Sequence, residues 1–159
     1  MSIQEYIDQK KELYDLLMSL IENENDNFQD LFNFIEKQKI TENREEFKSL
    51  LYLILSISNN HQRGANFFNK IDQILQKYSN EIKQTFSNVD MFDFFECNKR
   101  ILFFLIDNDI LNIDENLINC IFESNNFRIR HYLYEKIKNK IDEDKKNTIE
   151  KELLQIKPT

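Results

Sequence analysis

The chain has 159 residues, a net charge of −7, one Gly (Gly64), one Pro (Pro158), no Trp and 14 Phe. At this length one domain can bury a sizeable core without disulfides or a metal, and the near absence of turn-forming Gly and Pro argues against a β-sandwich, a barrel or a glycine-rich phosphate loop. The acidic balance argues against non-specific nucleic-acid binding, which needs a basic surface.

The apolar residues recur at helical spacing from the start. Ser2 with Glu5 is a capping-box pair, followed by Tyr6, Leu13, Leu17, Leu20 and Ile21, and predicts a helix ending near Glu22. Residues 23–27 read as a polar turn, with Asp26 and Gln29 capping a short helix that carries Phe28, Leu31, Phe32 and Ile35. Thr41 is placed to cap a third helix, with Glu42 and Glu45 in the first turn, where the dipole favours anions. Phe47, Leu50, Leu51, Ile54, Leu55 and Ser58 make its core face, and Tyr52, Leu53 and Ile57 widen the apolar surface, so the helix is expected to lie between neighbours.

Ser58-Asn59-Asn60 reads as a turn into a helix with Phe67, Phe68, Ile71, Ile74, Leu75 and Tyr78, and Ser79-Asn80 as the start of a shorter one with Ile82 and Phe86. Asp90 is the expected cap of a brief segment with Phe92, Phe94 and Phe95. Asn98 introduces Ile101, Leu102, Leu105 and Ile106; Asp114 caps Leu117, Ile118, Ile121 and Phe122; and Ser124-Asn125-Asn126 turns into Ile129, Tyr132, Leu133 and Ile137. A last, mostly charged helix from about Asp144 has only Ile149, Leu153 and Ile156 as apolar anchors. The expectation is an all-α fold of short stacked helices, α-solenoid-like or an ankyrin-like helical repeat array, with one repeat-like domain over residues 1–141 and a weakly anchored charged helix and tail over 142–159.

Repetition within the chain bears on that array. Ser58-Asn59-Asn60 aligns with Ser124-Asn125-Asn126, and the same offset pairs Phe67 with Leu133, Phe68 with Tyr134, Lys70 with Lys136 and Ile71 with Ile137. Two copies of one multi-helix unit are one reading; chance identity in a biased composition is the other. Units of this kind bury their apolar faces only by stacking.

The start of the chain lacks the basic and apolar regions of a signal peptide, and its longest apolar stretches, Leu50 to Ile57 and Ile101 to Ile106, are far short of the roughly 20 residues of a membrane span. Cys97 and Cys120 lie far apart in apolar sequence and read as reduced, buried thiols of a cytoplasmic protein. From Arg128 onward nine Lys/Arg face six Asp/Glu, a mild excess that reads as a solvated helical face. Arg128-Ile129-Arg130-His131 could alternatively contact an acidic partner.

Chemistry-bearing clusters are sparse. His61, His131, Cys97 and Cys120 include no close pair of metal-ligand spacing. Asp107, Asp109, Asp114 and Glu115 cluster, but a calcium loop needs a Gly at its tight turn, and helix capping accounts for them better. The phenylalanines fall at helical spacing beside Leu and Ile, as core residues do, rather than beside arginines, as in base-stacking surfaces. No catalytic residue and no cofactor are expected.

The segments Tyr52–Arg63 and Phe67–Leu75, with Asn98–Ile106 and Asn125–Leu133, resemble the amino-terminal region of the large, expanded ankyrin-repeat protein families of parasitic protists. The similarity runs from about Tyr6 to Ile141, although the ankyrin signature Thr-Pro-Leu-His and its glycine turns are missing. The resemblance implies a non-catalytic scaffold or adaptor that binds another protein; it defines no site residues.

A short helical array leaves an unstacked apolar face at its end, and such a face is a docking surface. The expected partner-binding residues are therefore Tyr132, Leu133, Ile137 and Ile141, on the carboxy-terminal side. A helical ligand-binding or enzymatic domain with a site between helices is the alternative, and a homo-oligomer a further one.

Overall fold

The first expected helix start is the first one found. In the computed structural model, which describes residues 2–22, 28–60, 65–123, 127–139 and 141–153, Ser2 Oγ accepts the Glu5 amide at 3.1 Å and helix α1 spans Ile3–Glu22. The expected Asp26 cap, the 124–126 turn and the Ile156 anchor lie outside the described residues. Helix α2 follows at Phe28–Lys37.

The start of the next helix corrects the sequence reading. Thr41 lies inside a short 3-10 turn, Ile40–Glu42, and Asn43 is the cap instead: its Oδ1 accepts the amides of Glu45 at 3.0 Å and Glu46 at 3.1 Å. Helix α3 then runs Arg44–Asn60. The expected Ser58–Asn60 turn is helical, and there the Ser58 Oγ donates back to the Ile54 carbonyl at 2.8 Å, which satisfies the buried hydroxyl within the helix. Helices α4 (Ala65–Lys77) and α5 (Ser79–Thr85) meet at Tyr78.

Helix α6 (Asn88–Phe95) is capped by Ser87 rather than by Asp90. Ser87 Oγ accepts the Asp90 amide at 3.0 Å, and Asp90 Oδ2 accepts the Ser87 amide at 3.3 Å. Asp90 is thus the reciprocal half of a capping box. Asn98 caps α7 (Lys99–Asp107) and Asp114 caps α8 (Glu115–Glu123), both as expected, accepting the amides of Ile101 at 3.1 Å and Leu117 at 2.8 Å. Helix α9 spans Phe127–Ile137, and Asp142 opens α10 (Glu143–Leu153) by accepting the Lys145 amide at 2.7 Å.

All the elements among the described residues are helical, with no strand, and none of the described helices is long and apolar enough to cross a membrane. The chain divides into two compact units, Met1–Thr85 and Phe86–Thr159. In the first, α1 packs on α2, α3 and α4, and Leu17, Ile35, Phe47, Ile54 and Ile71 are wholly buried. Each such side chain contributes about 1.5–3 kcal/mol through removal from water. In the second, α6 packs on α7 and α8, and α8 on α9, around Phe95, Leu102, Leu105, Leu117 and Leu133. Helix α10 rests on α8 and α9, tied by the Tyr134 hydroxyl donating to Glu150 and by an ion pair of Lys145 with Glu115. These polar ties fix a helix for which the sequence offers few apolar anchors.

Candidate functional site

Two apolar stripes run along α1. Leu13, Leu17 and Leu20 turn into the core of the first unit. Ile3, Ile7 and Tyr14 form a second stripe: spaced by four and seven residues, they lie within about 40° of arc at 3.6 residues per turn, and they remain 81%, 51% and 41% exposed. Between the two stripes α1 meets the outer face of α3. There Lys10, Leu13, Ser49, Tyr52, Leu53 and Ser56 line a cleft of about 310 Å³. Ser49 and Ser56 are too small to fill it, and Tyr52, 46% exposed, forms one wall. The apolar residues that the sequence places between neighbours therefore split: Ile57 is buried, whereas Tyr52 and Leu53 border the cleft.

Charged groups flank this surface. Lys10 lies at the cleft and the Lys48 ammonium sits 5.8 Å from the centre of the Tyr52 ring, a cation–π distance. On the other flank of the Ile3–Tyr14 stripe, Asp8, Glu12 and Asp15, with Lys11, line a shallow depression along α1. Lys11 lies between these carboxylates and the stripe, so this flank carries both signs of charge.

The residues expected to bind a partner are differently placed. Leu133 is completely buried and packs the interior of the second unit, so it offers no surface. Tyr132 is half-buried, with its ring stacked on Phe103 at an interplanar angle of 15°. Lys136 holds its ammonium 5.3 Å from the centre of the Tyr132 ring and 2.9 Å from Asp107 Oδ1. The hydrogen bond to Asp107, then that to Tyr132, raises the Lys136 pKa. Ile141 is half-buried, and the Ile137 side chain lies outside the described residues.

Several polar groups are more buried than the sequence suggests. Arg130, expected either on an exposed helical start or against an acidic partner, is 7% exposed with its Nε buried and without a hydrogen-bond partner. The Tyr78 hydroxyl and Glu81 Oε2 are likewise buried without one; burial first, then the nearby Glu36 and Glu81 carboxylates, pushes the Tyr78 phenol well above its ordinary range. Asp114 is held below the usual carboxylate range, chiefly by a hydrogen bond from Asn88 Nδ2 at 3.0 Å. Cys97, expected buried, is exposed, and Cys120 is half-buried. Among the described residues no group of three or more His, Cys, Asp or Glu is arranged to hold a metal ion.

The described residues thus define an all-helical protein of short helices that carries an apolar stripe beside a lysine-rimmed cleft. No protein-family model matches the chain, and comparison with curated proteins and with solved structures gives no match either.

Proposed function

We propose that the chain is a non-catalytic protein-interaction module, a scaffold or adaptor element of an ankyrin-repeat-type protein acting in the cytoplasm. The observation that carries this reading is the exposure of four large apolar side chains, Ile3, Ile7 and Tyr14 on one stripe of α1 and Tyr52 of α3 in the wall of the cleft. Scattered surface hydrophobics need no explanation, whereas a contiguous patch with a polar border is typical of a protein-binding surface. Arrangement of the short helices as a stacked, solenoid-like array belongs to the same proposal. The half-buried Tyr132 on Phe103, with Ile141, is a second docking element within it.

The test is affinity capture from a lysate of the source cell with three baits: the unaltered chain, an Ile7→Glu/Tyr52→Glu variant and a Tyr132→Glu variant. A partner lost with the first variant supports docking through α1 and α3, and one lost with the second docking through the carboxy-terminal helices. A chain that captures nothing specific, in lysate or by itself, sinks the reading.

One observation favours a second reading, a ligand site between helices: the Tyr78 hydroxyl and Glu81 carboxylate oxygen buried without partners. Unpaired buried polar atoms of this kind often mark functional sites. Thermal-shift measurements against a small-molecule panel test it, and stabilisation that survives Tyr78→Phe counts against it.

A further inference from the structure

We propose that the buried guanidinium of Arg130, at the start of α9, is the receptor of a site for a small free oxyanion of the phosphate type. The site lies within the second unit and is independent of the α1/α3 surface.

Arg130 is the fourth residue of α9, which begins at Phe127. It is 7% exposed, with its Nε buried and without a hydrogen-bond partner. A guanidinium keeps its charge in proteins, and a charge taken out of water is costly unless it is paired. The turn around it supplies no pair: α9 has no acidic residue in its first turn, where the neighbours are Phe127, Arg128 and Ile129. The helix adds to the deficit, because its N-terminal end carries partial positive charge. Helical side chains lean towards that end, so the Arg130 stem leads back over the first turn rather than away from it. One turn further along the same face, the Tyr134 hydroxyl donates to Glu150 of α10, which engages that carboxylate with a phenol. A buried cation and the positive pole of a helix thus share one place, and their common complement is an anion.

The chemistry of the group and its burial set the kind of anion. Nε–H and the neighbouring Nη–H of a guanidinium are parallel donors, a fork that fits two oxygens of a phosphate or carboxylate. With so little of Arg130 open to solvent, the approach suits a small free ion and not an acidic side chain standing on the surface of another protein. The sequence allows two readings of Arg128–His131, a solvated helical start and a contact with an acidic partner. The buried guanidinium keeps the charge preference of the second and replaces the macromolecule by an ion.

Urea denaturation of the full chain, in chloride and in rising phosphate at constant ionic strength, tests the proposal. The unaltered chain is expected to gain stability along a saturating curve, as a ligand bound only by the folded state confers, with half-saturation at about 1 mM, the weak end of the affinity scale. Arg130→Met keeps the aliphatic stem and deletes the charge and the donors. In chloride it is expected to be at least as stable as the unaltered chain, since an unpaired buried charge is gone. In phosphate it is expected to show only the unsaturating rise that an excluded salt gives any protein, so the difference between the two shifts in favour of the unaltered chain. Arg130→Lys, which keeps the charge without the fork, is expected to need at least fivefold more phosphate for half-saturation. An unaltered chain without a saturating response overturns the proposal, as does an Arg130→Met variant that retains one or an Arg130→Lys variant that responds like the unaltered chain. An Arg130→Met variant that is less stable in chloride, or fails to fold, overturns it too, because the guanidinium then already has a partner within the chain.

Discussion

Lys70, on α4 and only 2% exposed, donates its ammonium to the Leu20 carbonyl at 2.6 Å. Leu20 lies in the last turn of α1, where carbonyls have no partner within the helix. A cation at that end also opposes the negative pole of the helix, so one side chain closes α1 and ties α4 to it. Lys70→Met keeps the aliphatic stem and deletes the donor, leaving a carbonyl unpaired. Hydrogen bonds to charged groups contribute about 1.5–3 kcal/mol. Urea denaturation is expected to show a loss of that size, and a loss under about 0.5 kcal/mol, typical of a surface substitution, means that water satisfies Leu20 equally well.

A chain with one glycine must end its helices without glycine, and Asp109 shows the consequence. Its φ of 57° is left-handed, and it sits where the chain leaves α7 with the Ile110 amide bonded to the Leu105 carbonyl at 2.9 Å and its own amide to the Ile106 carbonyl at 3.2 Å. These are the two bonds of a Schellman motif, whose left-handed position usually holds Gly. Lys39, with φ 52° after α2, is a second case. The left-handed conformation costs a residue with a Cβ roughly 1–2 kcal/mol, eased for Asp by its short polar side chain. Asp109→Gly is expected to raise stability by about 0.5–1 kcal/mol, net of the greater freedom of Gly in the unfolded chain; a fall in melting temperature contradicts this.

These two residues also show what a sequence hides. Helix starts were readable where a single capping residue stands alone before an apolar run, as at Ser2 and Asn98. At Thr41–Asn43 and Ser87–Asp90 two or more capping types lie close together, and backbone geometry decides among them: Asn43 and Ser87 cap. The ends of α2 and α7 carried no signal, because Lys and Asp in left-handed conformation look like any surface residue. The exposed face had a signal of another kind. Tyr52 and Leu53 are apolar by type, and their exposure depends on neighbours that periodicity does not reveal, but Ile3, Ile7 and Tyr14 already formed a stripe distinct from Leu13, Leu17 and Leu20. The aligned pair Lys70 and Lys136 shows how little residue identity fixes environment: the first is buried on a carbonyl, the second exposed and paired with Asp107.

Asn88 connects the start of α6 to the cap of α8. Its Nδ2 donates to Asp114 Oδ2 at 3.0 Å while its Oδ1 accepts the Asn112 amide at 3.0 Å. Because the first bond lowers the Asp114 pKa, the folded state binds that proton less readily than the unfolded chain. Stability from this source is present above the ordinary aspartate value of about 3.9 and is lost as pH falls through the lowered value. Asn88→Ala removes the principal cause. The stability gap between the unaltered chain and Asn88→Ala is expected to be constant from neutral pH to about 4.5, above that aspartate value, and to narrow below it, as read from urea midpoints; a gap that widens with acid contradicts the sign.

Tyr134 behaves oppositely, at the alkaline end. Burial first, then its hydrogen bond to Glu150 on α10, pushes its phenol up to about 12 from an ordinary 10.0. The folded chain therefore holds the proton more tightly than the unfolded chain, and the associated stability, complete below pH 10, disappears as pH rises from 10 towards 12. A phenolate at this position is both buried and set against the Glu150 carboxylate, so α10 is expected to lose its tie to α9 in that window. Tyr134→Phe removes the titrating group and the bond together. It is expected to be less stable than the unaltered chain at neutral pH, by about 0.5–3 kcal/mol for a neutral or charge-assisted hydrogen bond, and to lose less of its stability between pH 10 and 12. Absorbance titration of the phenols, with urea midpoints at the same pH values, reads both quantities; an unchanged alkaline loss in Tyr134→Phe would assign it to another tyrosine, with buried Tyr78 next to be substituted.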